Sequence, residues 1–503
     1  MGEISKKITN LKIELIYLNQ LFKTFKMVDI ALMKQIFATV TASISIFIAG
    51  SWLGWPSATA DKLLYHKTDF NVSVNEFSWI VSIMDVGNII SPIPAGYMMD
   101  FFGRKKTVSL LGPLYIISWI LPSYVGNIWS LYIARFLGGL GKGISYTVVP
   151  VFLGEIAGVK IRGALSSVFA IHLAGGFLFE AIIGPYVSFK SLNLITAIIP
   201  TLFLIMFIWV PESPYYLLKK GRRDEAAKCL RWYRNGNDSE LQEMEENVQN
   251  DMKNKGNYWE LFKNPKNLKA IVIISTASFA QRAGGISSLM AYSTLALPEP
   301  VPIGRKSDYI ILFAVLKTGV NFFGLALVDR IGRKPLLLFS EISLGLVTFV
   351  DGLFFFLQNY INMTPYNWIP YVCLELFPSI YALGIGFIPV VFLGEMLPVN
   401  VRAHGSAFMS IVLAFSSFIS NAIFLIISYK CGFYVMLWLF SIVNFICAYF
   451  AYKMAIETNG KTFSEIQNLL EESLKNNKKK SIYIIWTLVW RTRDCIETLR
   501  RLL

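Results

Sequence analysis

Charge is what this chain lacks. Asp, Glu, Lys and Arg make up 16% of its 503 residues, while 54% are hydrophobic; soluble domains carry about 25% charged residues. With a mean hydropathy of +0.51, this excludes an ordinary soluble domain and implies an all-α polytopic membrane protein. Histidines number three and cysteines five. Cys229, Cys373, Cys431, Cys447 and Cys495 show no paired spacing, so no metal site or disulfide framework is readable and no cofactor is expected. The first 33 residues lack the apolar stretch and small-residue cleavage site of a signal peptide. The first long apolar run is therefore expected to be a retained span. No nucleophile–base pair, metal cluster or phosphate loop is visible, which argues against an enzyme. The net charge of +14 is no nucleic-acid footprint, because most Lys and Arg fall on one side of the topology below, the positive-inside bias of membrane proteins.

A span needs about 20 apolar residues. Twelve such runs are expected, near 35–57, 76–99, 107–127, 129–152, 164–187, 191–210, 268–292, 308–328, 335–358, 368–393, 404–428 and 432–453. A polar stretch at 212–267, dense in Glu, Lys, Arg, Leu and Met over 224–254, divides them into six and six. It reads as a cytoplasmic linker of two or three short surface helices. The organisation expected is an N-terminal tail (1–34), a six-helix half (35–211), the linker, a second half (268–455) and a C-terminal tail (456–503), both tails cytoplasmic. The sequon at Asn71 then faces outside and is a candidate glycosylation site. The apolar run 482–490, followed by Arg491 and Arg493, is too short to span and suits a basic interfacial helix.

The charges that remain are patterned. Gly96 precedes Asp100-Phe101-Phe102-Gly103-Arg104-Lys105, and Gly324 precedes Asp329-Arg330-Ile331-Gly332-Arg333-Lys334. Glu155 precedes Arg162 by seven residues and Glu395 precedes Arg402 by the same interval. The two clusters recur in the same order, as two halves of one duplicated membrane unit require. A charge at mid-bilayer costs about 2.5–3.5 kcal/mol, so such groups gather at helix ends. There Asp100, Arg104, Glu155 and Arg162 can pair, as can Asp329, Arg333, Glu395 and Arg402. Exposed pairs are worth only about 0–1 kcal/mol each, but a network of them can bias two conformers of similar energy.

Taken together these phrases resemble the sugar porter family of the major facilitator superfamily. Arg135 with Gly138, Gly141 and Gly143 is similar to that family's fourth-span motif, and Pro211-Glu212-Ser213-Pro214 to its most specific signature, with Tyr215 where Arg is usual. Glu457-Thr458-Asn459-Gly460-Lys461-Thr462 resembles the motif after the last span, with Ile456 replacing Pro. The resemblance covers about residues 35–470. It implies the twelve-helix major facilitator fold in two pseudo-symmetric halves, alternating access around a central site, and an inner gate made by the charge clusters. The phrase Gly394-Glu395-Met396-Leu397-Pro398 and the short external loops are similar to the facilitated trehalose transporters.

The family's binding residues are only partly kept. In its seventh-span motif Gln281 and Gly285 match, whereas Arg282 and Ser287 do not. The tenth-span Trp is Val390, and Ala170 stands for the fifth-span Gln with His172 two residues on. Of two eleventh-span asparagines Asn421 remains, with Ser417 in the other place; Tyr292 is kept. Each buried sugar hydroxyl left unpaired costs about 1–3 kcal/mol, so either the remaining polar groups re-form a site or the substrate differs. Arg282 either pairs with an intramembrane acid, Asp85 or Glu180, or contacts an anionic or strongly polar substrate. Lys142 and Lys317 raise the same question, with Asp351 as an acid that could answer one of them. No acid occurs between Gln35 and Ala60, and Trp52 takes the place of the carboxylate of proton-linked relatives.

The expected function is thus facilitative uniport of a sugar, trehalose or a hexose, by a plasma-membrane monomer whose partners are sugar and lipid, not nucleic acid. The alternatives are a proton-coupled or anion-selective carrier and a non-transporting nutrient sensor.

Overall fold

The computed structural model describes residues 2–65, 71–124, 126–157, 162–234, 238–253 and 258–477, and the side chains of all of these except 2–29, 162–167, 251, 253, 322, 325, 399 and 475–477. The C-terminal run 482–490 lies outside them. Every regular element among the described residues is helical. Before the linker come α1 (Gly2–Leu64), α2 (Val74–Ile90), α3 (Pro92–Phe101), α4 (Arg104–Ser109), α5 (Leu111–Tyr124), α6 (Ile128–Ile156), α7 (Arg162–Ile183) and α8 (Phe189–Phe207). Four short helices follow: α9 (Pro214–Lys219), α10 (Arg223–Arg234), α11 (Asp238–Lys253) and α12 (Tyr258–Lys263). Next are α13 (Pro265–Ala283), α14 (Ile286–Ala296), α15 (Lys306–Ile331), α16 (Arg333–Leu357), α17 (Trp368–Leu383), α18 (Ile388–Met396), α19 (Val399–Cys431), α20 (Phe433–Met454) and α21 (Phe463–Asn477).

Nine described helices or helix runs are long and apolar enough to cross a membrane, ten if the bent pair α2 and α3 counts as one span. Two expected spans, 268–292 and 308–328, are not among them. The span expected at 268–292 is broken at Gly284-Gly285, and Gly285 adopts φ 120°, which ends one helix and starts another. The span expected at 308–328 lies within α15, where Lys317 is the one charge between Tyr309 and Val328. The segment 1–34, expected as a tail, continues α1 without a break from Gly2.

Capping side chains start several helices at the loops. Ser73 and Glu76 form a reciprocal capping box at α2, and Asn127 and Ser188 accept backbone N–H groups at the starts of α6 and α8. Gly386 and Pro389 flank the break between α17 and α18. The bundle interior is stacked aromatic and aliphatic packing around Trp52, Trp55, Trp119, Phe152 and Tyr292. Large apolar side chains such as Ile208, Trp209, Phe323 and Tyr429 stay exposed on the outside of the bundle, as a lipid-facing surface requires.

Among the described residues, hydrogen bonds between the segments before and after the linker lie at two levels. At the end remote from the linker, Ser57 bonds Ser293 and Thr294 at 2.9 and 3.0 Å, and Arg305 donates to the Tyr186 hydroxyl. Ser78 donates to the carbonyls of Asn421 and Ala422. Deeper, Ser417 and Asn421 donate to Asp85. At the linker end a Cβ added to Gly154 or Gly394 would meet nothing within 4 Å, and Val390 is 54% exposed. Among the described residues, hydrogen bonds between the helices before and after the linker gather at the far end and in the centre.

Candidate transport site and gating clusters

At the linker end the two charge clusters adopt one geometry twice. Arg104 pairs with Glu155 at 2.7 Å and with Asp100 at 3.4 Å; Arg333 pairs with Glu395 at 2.8 Å and with Asp329 at 3.0 Å. Each arginine also donates to a carbonyl five residues upstream, Met99 or Val328. A glycine at positive φ, Gly103 (98°) or Gly332 (102°), makes the turn before it. A carboxylate from a distant segment closes that turn. Glu212 accepts the backbone N–H groups of Arg104 and Lys105, and Glu457 accepts those of Arg333 and Lys334. The next residue, Ser213 or Thr458, donates its hydroxyl to Glu155 or Glu395.

The segments Glu212-Ser213 and Glu457-Thr458 are therefore structural counterparts. The sequence motifs do not reveal this equivalence; the shared Glu-Ser/Thr dipeptide just after the sixth and twelfth apolar runs is the signal that could have. Two expected members differ. Arg402 donates to its neighbour's carbonyl, Leu397, rather than to an acid, because that carbonyl lies within reach at the turn into α19. The Arg162 side chain lies outside the described residues.

These ion pairs lie within each group of helices and none of them joins the two groups. Arg333→Ala is expected to leave the Glu395 carboxylate and Asn459 Oδ1 under-bonded and to slow sugar uptake by about tenfold, the effect of losing one charge-assisted bond of roughly 1.5–3 kcal/mol. Uptake rates and the accessibility of cysteines introduced at the far end check it; unchanged values would remove Arg333 from the gating machinery.

In the bundle centre a buried ion pair replaces the one expected. Lys142 contacts Asp85 at 3.5 Å, both side chains being 4% exposed. Asp85 also accepts from Ser417 (2.7 Å) and Asn421 (3.0 Å). Asn421 Oδ1 accepts from Ser288, and the Asn421 carbonyl accepts from the Tyr292 hydroxyl. Among the described residues Arg135 has no acid in hydrogen-bond contact; it donates to the carbonyls of Trp52, Ile80 and Val81 and lies over the Trp52 and Trp55 rings. Trp52 in turn stacks on Trp119 at 3.9 Å.

Arg282 pairs with neither acid expected for it, Asp85 or Glu180, and Glu180 keeps one buried oxygen without a partner among the described residues. Lys142 pairs with Asp85, and Glu180 accepts from Thr196. Among the described residues the Arg282 side chain makes no hydrogen bond or ion pair. Asp351, expected to answer Lys142 or Lys317, has a buried oxygen without a partner among the described residues. Arg282 lines a central cavity of about 160 Å³ together with Gln281, Lys317, Thr318, Asn321 and Tyr381. Gln281 spends its amide N–H groups on the carbonyls of Ile385 and Gly386, freed by the break between α17 and α18. A smaller space of about 20 Å³ joins Arg282 and Ser287 to Asp85, Ser417 and Asn421. The Ser287 hydroxyl is buried without a partner there, among the described residues.

The other expected binding residues are more scattered. Gly285 packs on Phe440, Val390 is exposed, and His172 bonds the carbonyl of Val168 on its own helix. A larger cavity of about 490 Å³ lies at the far end, lined by Ser57, Asp61, Lys62, Thr294 and Arg305. Asn71 is exposed, three residues before α2.

Over residues 22–470 the chain matches the family described as Sugar (and other) transporter. It belongs to that family. Among relatives, the facilitated trehalose transporter Tret1 of Polypedilum vanderplanki is 28% identical over 446 residues, covering 86% of this chain and 88% of that one. Trehalose transporter 1 of Drosophila melanogaster is 27% identical over 444 residues, 86% of this chain and 52% of its own length. The xylose transporter XylE from E. coli in its inward open conformation superposes with a TM-score of 0.71 at 18% identity, over 87% of this chain and 99% of that one. Its partially occluded inward open form gives 0.70 at 19%, over 86% and 100%. At such identities the likeness shows the fold. The sugar transporter family is one of carriers rather than enzymes, and with its many apolar helices this member is a multi-pass membrane protein.

Proposed function

We propose that this protein carries a sugar, trehalose or a hexose, across the plasma membrane by facilitated diffusion and alternating access. In this reading twelve spans form two pseudo-symmetric halves, 35–211 and 268–455. The two pieces α13 and α14 act together as the seventh span and α15 as the eighth. The linker helices and both termini are cytoplasmic, Asn71 is glycosylated outside, and the unit is a monomer. The conformer described is then inward-facing, with Ser57, Ser293, Thr294 and Ser78 closing the outer side. The substrate lies against Gln281, Arg282, Ser287, Tyr292, Ser417 and Asn421, with Val390 and His172 nearer the inner opening. Asp100, Arg104, Glu155 and Arg162, with Asp329, Arg333, Glu395 and Arg402, form the gating clusters.

Kinship with facilitated trehalose transporters carries this reading. Trp52, standing where proton-linked carriers hold an acid, favours uniport over symport. Proteoliposomes preloaded with unlabelled trehalose or glucose should show transient accumulation of the labelled sugar by counterflow. Binding without flux would favour a sensor, and no exchange of either sugar would exclude both as substrates.

A further inference from the structure

Among the described residues four cations lie within the bundle centre, and only two of them are compensated. Lys142 has Asp85, and Arg135 has three backbone carbonyls. Arg282 and Lys317 have neither. Lys317 contacts the Met290 sulfur at 3.2 Å and lies 5.9 Å from the Tyr381 ring centre, a weak substitute for an acid. The Arg282 charge repels both Lys142 and Lys317. Both uncompensated cations line the cavity of about 160 Å³, and no Asp or Glu lines it. Two like charges facing one cavity repel each other, and an anion placed between them relieves that repulsion. Beside them Asn321, whose amide makes no hydrogen bond among the described residues, and the Thr318 hydroxyl can serve uncharged hydroxyls.

We propose that the preferred substrate is a sugar bearing one acidic group, of hexuronate size, its carboxylate received by Arg282 and Lys317. The proposal rests on the sugar-carrier reading and narrows its substrate class. A guanidinium grips a carboxylate in two-pronged fashion and an ammonium adds a point charge, so the pair would select the anion over its neutral counterpart. Uniport of such a substrate also moves one negative charge per cycle, which a neutral sugar does not.

The test uses the full-length protein in phosphatidylcholine vesicles, with labelled D-glucuronate and D-glucose as probes. An inside-positive potential of about 100 mV should accumulate glucuronate up to about fifty-fold, the equilibrium limit for one charge, while glucose only equilibrates. Arg282→Gln and, independently, Lys317→Gln should each lower the glucuronate-to-glucose ratio of kcat/KM at least tenfold. Because the potential is applied to the unaltered protein, a misfolded variant does not hide the answer. Uptake of glucose without entry of or competition by glucuronate would overturn the proposal and leave the sugar-carrier reading standing. Uptake of neither sugar overturns both. Adding phosphatidylglycerol separates a solute from a lipid headgroup as the anion: loss of glucuronate uptake on its addition would assign the cations to lipid and overturn the proposal.

Discussion

Asp85→Asn should destabilise the purified protein by about 3–5 kcal/mol, the cost of stranding one partner of a buried ion pair, and slow sugar uptake at least tenfold. The side chain keeps its size, so the change is one of charge. Lys142, 4% exposed and 3.5 Å away, would lose its only ion-pair partner among the described residues while the Arg282 charge continues to repel it. The hydrogen bonds from Ser417 and Asn421 would lose their charged acceptor at the same time. These bonds join α2 to α19 across the two groups of helices, so the substitution acts on the conformational cycle as well as on stability. Asp85→Asn combined with Lys142→Met should recover most of the lost stability, because the stranded cation is gone. Thermal unfolding in detergent measures both variants. Equal midpoints for Asp85→Asn and the unaltered protein would mean that the pair contributes nothing.

Gly176→Val is expected to prevent accumulation of folded protein. A Cβ at Gly176 would lie 1.9 Å from the Phe47 carbonyl oxygen, and one at Gly50, on the facing helix, 2.2 Å from the Leu173 carbonyl oxygen. The backbones of α1 and α7 meet there directly, the arrangement that small residues permit in membrane helices. Two atoms at that distance cannot be relieved by a rotamer change; the helices must separate and the packing between them is lost. Gly154→Ala is the control, since its Cβ meets nothing within 4 Å. Fluorescence-detected size exclusion should show a monodisperse peak for the control and none for Gly176→Val. A normal peak for both would contradict the close approach.

Much of this architecture is legible in the amino-acid sequence alone. The duplicated Asp-x-x-Gly-Arg phrases with Glu155 and Glu395 mark the two clusters, because a few charges in an apolar chain must sit together at helix ends. Pairing between groups far apart in the chain is not legible in the same way. Glu212 lies 108 residues from Arg104 and Glu457 lies 124 from Arg333, and no spacing rule joins them. The choice of Lys142 rather than Arg282 as partner for Asp85 depends on how α2, α6 and α13 rotate about their axes, which apolar runs fix only loosely. Likewise the role of Gln281 follows from carbonyls freed by the α17–α18 break. Gly386 and Pro389 announce that break, but not which side chain satisfies it.

Uniport is the central claim, and Trp52 is the residue on which it turns. The most direct test reconstitutes the protein in vesicles with equal concentrations of the transported sugar inside and out, then imposes a proton gradient. A facilitative carrier of a neutral sugar such as trehalose or glucose shows no net movement, with exchange of labelled sugar continuing at an unchanged rate. Transient accumulation of sugar on the side to which protons run would contradict the account and move attention to Asp85 and Glu180 as proton sites.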